Sequence, residues 1–258
     1  MHQASARQVQ EASKAFLMVS QADKLRFSEP CNPKKAAELY KKAAALGNAS
    51  GQFNYGQMIL RQEITDQPPS AALPWLLKAA AQPQGNPQFP GLPNVGVKEA
   101  CVTLGDVYRD CKAGLRVPDY AAAISWYRKA AEMGGCALAQ NNLGHMYQSG
   151  MGVQVDMAEA VAWYGKAAEQ GYGVAELNLA SLLYSGKAGV QQDLGRALEL
   201  ARKAHSRGTP GAAALLSQLE PSTGTAVAKL REAAKAGDPE GCFWLALAHL
   251  KGLYGLQR

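Results

Sequence analysis

The feature that most limits what this chain can fold into is that it repeats itself. Residues 139–171 read AQNNLGHMYQSGMGVQVDMAEAVAWYGKAAEQG, and residues 175–208 read AELNLASLLYSGKAGVQQDLGRALELARKAHSRG, the same pattern with one residue inserted. Residues 100–134 precede both and carry LGDVY, then VPDYAAAISWYRKAAEMG. An apolar residue before a small one marks the register, at Tyr55, Leu104, Leu143, Leu179, Leu216 and Leu245. The steps from Leu104 through Leu143 and Leu179 to Leu216 are 39, 36 and 37 residues. Periods of this length belong to arrays whose unit is one supersecondary motif, unable to bury its apolar face alone and stacked on its neighbours for that reason.

Each unit reads as two helices. Ala139, Leu143, Met146 and Tyr147 fall at i, i+4, i+7 and i+8, one apolar face of a first helix. Gly144 adjoins that face, matched by Gly56, Gly105, Ala180 and Ala246, and a minimal side chain there lets a partner helix approach closely. Gly150 and Gly152 supply a tight loop, with Val153 placed to plug the core beneath it. Asp156 is positioned to cap the second helix, and Glu159 three residues later completes a capping-box pattern. Ala160, Trp163, Tyr164, Ala167 and Ala168 follow, and Gly171 stops the helix. Trp75, Trp126 and Trp163 hold equivalent places in three second helices, which predicts a tryptophan at each core contact. The fold class expected is all-α: a right-handed α-solenoid of stacked antiparallel helix pairs.

The pattern A-x-x-x-L-G-x-x-Y-x-x-G-x-G-V followed by D-x-x-x-A-x-x-W-Y-x-K-A-A-E-x-G resembles the Sel1-like repeat, of the tetratricopeptide-repeat-like superfamily. Ala139, Leu143, Gly144, Tyr147, Gly150, Gly152, Val153, Asp156, Ala160, Trp163, Tyr164, Lys166, Ala167, Ala168, Glu169 and Gly171 carry it. The copy before has Ala100, Leu104, Gly105, Tyr108, Asp119, Ala123, Trp126, Tyr127, Lys129, Ala130, Ala131, Glu132 and Gly134. The resemblance implies a scaffold or adaptor in complex assembly or signalling, whose partner is a protein. It covers residues 33–251, about six helix-pair repeats with a Pro/Gly-rich insert at 82–96. Residues 1–32 are expected to form a capping helix region, with a helix from Gln3 to Phe27, and 252–258 a truncated repeat end, as in a piece of a longer array. Pro210 and Pro221 are expected to bracket a short first helix within 209–225.

In arrays of this kind the first helices line the concave face, and an asparagine there can donate to and accept from the backbone of an extended peptide. Asn54, Asn142 and Asn178 each precede a register residue, and Asn141 adds another amide. They are the candidate peptide contacts, with Gln140, His145, Gln148 and Glu176 supplying local selectivity. A clamp for a terminal carboxylate would also need Lys or Arg on neighbouring first helices, where Leu138 and Val174 stand. In the insert, Phe89 and Leu92 form a candidate contact arm.

Other chemistries find little purchase. The formal charge of +6 is mild for 258 residues, with no run of like charges and no basic stripe, so nucleic acid is not an expected partner. Five cysteines without a CxxC pair indicate neither a zinc site nor a redox dithiol and favour a reducing, cytoplasmic setting. His2, His145, His205 and His249 are not spaced as metal pairs. GxSxG, HExxH and GxxxxGK[ST] are all missing, so no enzyme and no cofactor is expected. The apolar run at 15–19 is too short for a signal peptide or a membrane span. The competing readings are an architectural spacer in a longer chain, or a regulatory module of an enzyme whose catalytic part lies elsewhere.

Overall fold

Helix follows helix in the computed structural model, which describes residues 6–235 except 88, 90, 187 and 188, together with 237, 242, 243, 245 and 246. The expected features at His2, His249 and 252–258 lie outside the described residues. In chain order the helices are α1 (Ala6–Phe27), α2 (Pro33–Ala45), α3 (Ala49–Leu60), α4 (Ala72–Ala80), α5 (Val97–Arg109), α6 (Tyr120–Glu132), α7 (Ala137–Ser149), α8 (Met157–Glu169), α9 (Gly173–Ser185), α10 (Leu194–Ser206) and α11 (Ala212–Lys235). No strand occurs among the described residues. The chain divides into two compact units, Met1–Ala139 and Gln140–Arg258.

In the first unit each helix packs on the next, from α1 on α2 through to α5 on α6, and α3 also touches α5. In the second, α8 packs on α9, α9 on α10 and α10 on α11, with α11 returning to α9. Five of the register residues lie in the core, while Leu245 is half-buried. Leu104 and Leu143 are fully buried, and Tyr55, Leu179 and Leu216 nearly so. Asn32, Asn48, Asp119, Asp156 and Asp193 cap α2, α3, α6, α8 and α10, each side-chain oxygen accepting a backbone N–H three residues on. At the other end of α8, Gly171 takes φ +75°, a left-handed conformation that a side chain resists.

The small residues of α3, α5 and α7 face the second helix of their own pair. A Cβ built on Gly144 would stand 2.7 Å from the Tyr164 ring, one on Gly105 would overlap the Tyr127 ring, and one on Gly56 would come within 3.1 Å of Leu76. Where this tyrosine gives way to the smaller Ala201, the glycine's register position is held by Ala180, and both are fully buried.

This arrangement corrects the expectation for the tryptophans. Trp75, Trp126 and Trp163 are only half-buried, and the core place belongs to the following residue, Leu76, Tyr127 or Tyr164. Over Gly105 and Gly144 the planar phenols of Tyr127 and Tyr164 lie close and deliver their hydroxyls to Asp106 and Gln148. Each tryptophan instead lies under the lysine three residues on, with Lys78, Lys129 and Lys166 ammonium nitrogens 5.0, 5.2 and 4.1 Å from the ring centroids. The Trp163 indole N–H is buried without a hydrogen-bond partner.

Two further corrections concern proline and histidine. Pro221 lies inside α11, which runs on to Lys235, so no short helix ends there. A proline inside a helix forfeits one backbone hydrogen bond and strains the turn before it, yet here it does not stop the helix. His205 stands at the register position of Ala168, which the repeat pattern would turn towards the core; it is exposed, and Ala204 beside it is buried instead. The insert is folded rather than loose. Asn86 N donates to Leu92 O at 2.9 Å, Asn94 N to Gln84 O at 2.7 Å, and the Asn94 amide ties back to Gln82 and Pro83.

Candidate functional site

Neighbouring first helices are joined by side-chain amides and hydroxyls. In the first unit Gln57 of α3 donates to the Thr103 hydroxyl of α5 at 2.7 Å. Arg26 of α1 reaches Asn54 of α3 at 3.5 Å while forking onto Glu63 at 2.6 and 2.9 Å. In the second unit Asn178 of α9 donates to Asn141 of α7 at 3.0 Å. The result in each unit is a polar surface carried by first helices, with amide groups held in fixed orientation by their neighbours.

The candidate residues divide by what they touch. Asn54, Asn142 and Asn178 are half-buried on α3, α7 and α9, so each shows part of its side chain to solvent. Asn54 also donates to the Ser50 hydroxyl at 3.3 Å. Asn54 belongs to the first unit, Asn142 and Asn178 to the second. His145 is exposed, and half-buried Gln148 accepts the Tyr164 hydroxyl at 2.8 Å.

Gln140 and Glu176 were expected to contribute selectivity, but both are buried, Glu176 to 1% exposure. Gln140 accepts from the Gln170 amide at 2.7 Å. Glu176 accepts from the Arg207 guanidinium at 3.2 Å. Gln52 of the first unit does the same with Gln82 at 2.7 Å. Each pair joins the start of a repeat's first helix to the residue ending its second, a clasp closing the repeat on itself. Arg207 also lies over Gly171, where a Cβ would come within 2.8 Å of Nη2. In the second unit the sequence carried a signal for this clasp: the polar residue three before the register residue, matched with a polar residue just before a helix-stopping glycine, Gln170 before Gly171 and Arg207 before Gly208. In the α5–α6 repeat the place is held by Cys101, whose thiol burial pushes up to about 11.

A second recurring contact supports the face from below. The fully buried Tyr40, Tyr127 and Tyr164 donate their hydroxyls to Asp23, Asp106 and Gln148 of the preceding first helix. Burial first, then the carboxylate of Asp23 or Asp106, holds the Tyr40 and Tyr127 phenols well above the ordinary range; burial does so for Tyr164. These tyrosines remain neutral donors and orient the acceptor side chains.

An open concavity of about 860 Å³ lies among the loops of the second unit, lined by residues of 155–158 and 189–194, and its aspartates Asp156 and Asp193 cap α8 and α10. Among the described residues no group of three His, Cys, Asp or Glu side chains could hold a metal ion. No helix among them is long and apolar enough to cross a membrane.

The Sel1 repeat family model matches residues 27–48, 49–83, 104–135, 137–172, 173–208 and 239–258, well over half the chain. The chain belongs to the Sel1 repeat family. A solved protective antigen of uropathogenic Escherichia coli strains, displaying the same repeat fold, superposes with a TM-score of 0.68 at 27% identity, over 95% of this chain and 51% of that one. A Sel1 repeat protein from Oxalobacter formigenes superposes with a TM-score of 0.66 at 27% identity, over 84% of this chain and 79% of its own. The present chain thus spans about half the length of the E. coli antigen. Comparison with curated proteins finds no match. The fold is therefore an all-α solenoid of Sel1 repeats, and Sel1 repeat proteins are generally protein–protein interaction modules.

Proposed function

We propose that this Sel1 repeat protein is a scaffold that holds a partner protein, or an extended segment of one, on its first-helix surfaces. The observation that carries this reading is the bridged asparagine pair of the second unit. Asn178 is fixed by its bond to Asn141 while remaining half-exposed beside half-exposed Asn142. A pre-oriented amide offers a donor and an acceptor to a peptide backbone with little entropy left to lose on binding. Asn54, held by Ser50 and Arg26, takes the same role in the first unit. His145 is the exposed selectivity residue, and Gln148 contributes through the part that Tyr164 does not engage. Gln140 and Glu176 act only by holding the repeats closed.

Affinity purification from source lysate tests the reading, comparing wild type with Asn54→Ala/Asn142→Ala/Asn178→Ala. Circular dichroism establishes that both are folded. Loss of specific partners from the folded triple variant is expected. Identical partner sets would remove the asparagines from the mechanism and move recognition to Phe89 and Leu92 of the insert, of which Leu92 is 58% exposed. Absence of any enriched partner would favour an architectural role.

A further inference from the structure

Tyr55 is the one register residue that is not a leucine. Its ring is buried as the leucines are, 4% exposed, and meets Trp75 edge-on with centroids 5.3 Å apart. The hydroxyls of Tyr40, Tyr127 and Tyr164 each have an acceptor, but among the described residues the Tyr55 hydroxyl has no hydrogen-bond partner. Nor is that oxygen sealed from solvent, since the Trp163 N–H is the wholly buried side-chain group left without a partner there. It opens on a cavity of about 430 Å³ in the first unit, bounded by α2, α3 and the loop that follows α3, with Tyr55 in its wall. A hydroxyl left unpaired at the edge of an apolar core calls for a reason, and a ligand supplies one.

The remaining walls carry both signs of charge. Glu38 and Lys41 line the cavity from α2, and Asp66 lines it from the loop. Residues three apart on a helix are neighbours, about 5–6 Å between Cβ atoms. Even so, Glu38 and Lys41 form no ion pair, and Asp66 has none among the described residues. The Lys41 ammonium stands over the Tyr55 ring instead, 5.9 Å from its centroid. Glu63, also at the cavity, is already held by the Arg26 fork. Buried Ala37 and Ile64 give the cavity an apolar side. In the second unit the repeat positions of Lys41 and Tyr55 are held by Gly165 and Leu179, which line a smaller recess of about 170 Å³. There the groove is present without the ammonium or the hydroxyl at this point.

We propose that the first-unit cavity binds a free α-amino acid with an apolar side chain. The Lys41 ammonium and the Tyr55 hydroxyl donate to its carboxylate. Glu38 and Asp66 accept from its ammonium, and its side chain lies against Ala37 and Ile64. A simple anion would meet the carboxylates of Glu38 and Asp66, and a simple cation would meet Lys41 and, one turn further out, Lys34. A ligand that carries both charges on adjacent atoms answers both walls.

Isothermal titration of the full chain with L-leucine, L-methionine and L-phenylalanine in turn tests this. At least one should bind, one molecule per chain. Its amide, which lacks the carboxylate, and its N-acetyl derivative, which lacks the ammonium, should each bind at least about tenfold more weakly. Tyr55→Phe keeps the ring and removes the hydroxyl alone. It should weaken binding at least about tenfold yet melt no lower than wild type, because that hydroxyl has no partner within the fold. Lys41→Gln should weaken binding to a similar extent. Failure of all three amino acids to bind overturns the proposal, as does binding indifferent to Tyr55→Phe. A Tyr55→Phe variant that melts lower would make the hydroxyl structural and overturn it too. An N-acetyl derivative bound as tightly as the free amino acid would overturn it in favour of a plain carboxylate site.

Discussion

Gly144 and Gly165 lie on consecutive helices of one unit, and alanine at the two positions should act with opposite sign. Both sit inside helices, where Gly→Ala contributes about 1 kcal/mol of helix propensity. Nothing lies within 4 Å of a Cβ built on Gly165, so the gain there is unopposed. A Cβ on Gly144 would stand 2.7, 2.8 and 3.0 Å from three atoms of the Tyr164 ring. To reach ordinary contact the ring must retreat by more than half an ångström, yet Tyr164 is fully buried and tied to Gln148 at 2.8 Å. Overpacking of this kind costs about 1–3 kcal/mol, and losing the hydroxyl's bond adds about 1 kcal/mol. Against the propensity gain, Gly144→Ala should destabilise by about 1–3 kcal/mol and Gly165→Ala stabilise by about 0.5–1 kcal/mol. Thermal denaturation followed by circular dichroism reads this as midpoints separated by several degrees, on opposite sides of wild type. If Gly144→Ala melts as high as Gly165→Ala, the helix pair is not held together by ring against glycine, and the reasoning from close approach fails.

Three further outcomes are expected. Arg207→Ala should lower stability by about 2–3 kcal/mol in urea titrations, because it strands the buried Glu176 carboxylate, while Glu176→Gln/Arg207→Gln should recover most of the loss by rebuilding the Gln140–Gln170 clasp. Tyr40, Tyr127 and Tyr164 have phenols raised above their unfolded value near 10, so their contribution is complete below that pH and is lost as pH rises through the higher folded values. Stability should therefore fall steeply above about pH 10, and the triple Tyr→Phe variant should show a shallower fall. Thiol labelling of the native protein should modify exposed Cys31 and Cys242 first and reach buried Cys101 only on unfolding; early labelling of Cys101 would contradict its place in the core.

The helix pairs were legible because the repeat restates the same constraint several times. Leu104, Leu143 and Leu179 recur before a small residue, and Asp119, Asp156 and Asp193 recur at the caps, so each copy corrects the reading of the others. What spacing could not reveal was which of two adjacent residues turns inward. Trp163 and Tyr164 are consecutive, and it is the tyrosine that lies against Gly144 and bonds Gln148. Gln140 and Glu176 read as groove residues because they are polar and lie on first helices. Their burial depends on partners some thirty residues away, Gln170 and Arg207, which satisfy them. Pro221 misled in the other direction, since a strong local signal for a helix end lies within a helix that continues. The fold of the 82–96 insert rests on backbone pairs and an asparagine that bear no periodic signature.

The central claim, that partners are held on first helices, is tested most directly by placing a photo-crosslinking residue on each kind of helix. Benzoylphenylalanine in place of exposed His145, on first helix α7, is compared with the same residue in place of exposed Ala162, on second helix α8. A specific crosslinked partner from position 145 and none from position 162 is the expected result. The same partner captured from 162, with none from 145, would contradict the account.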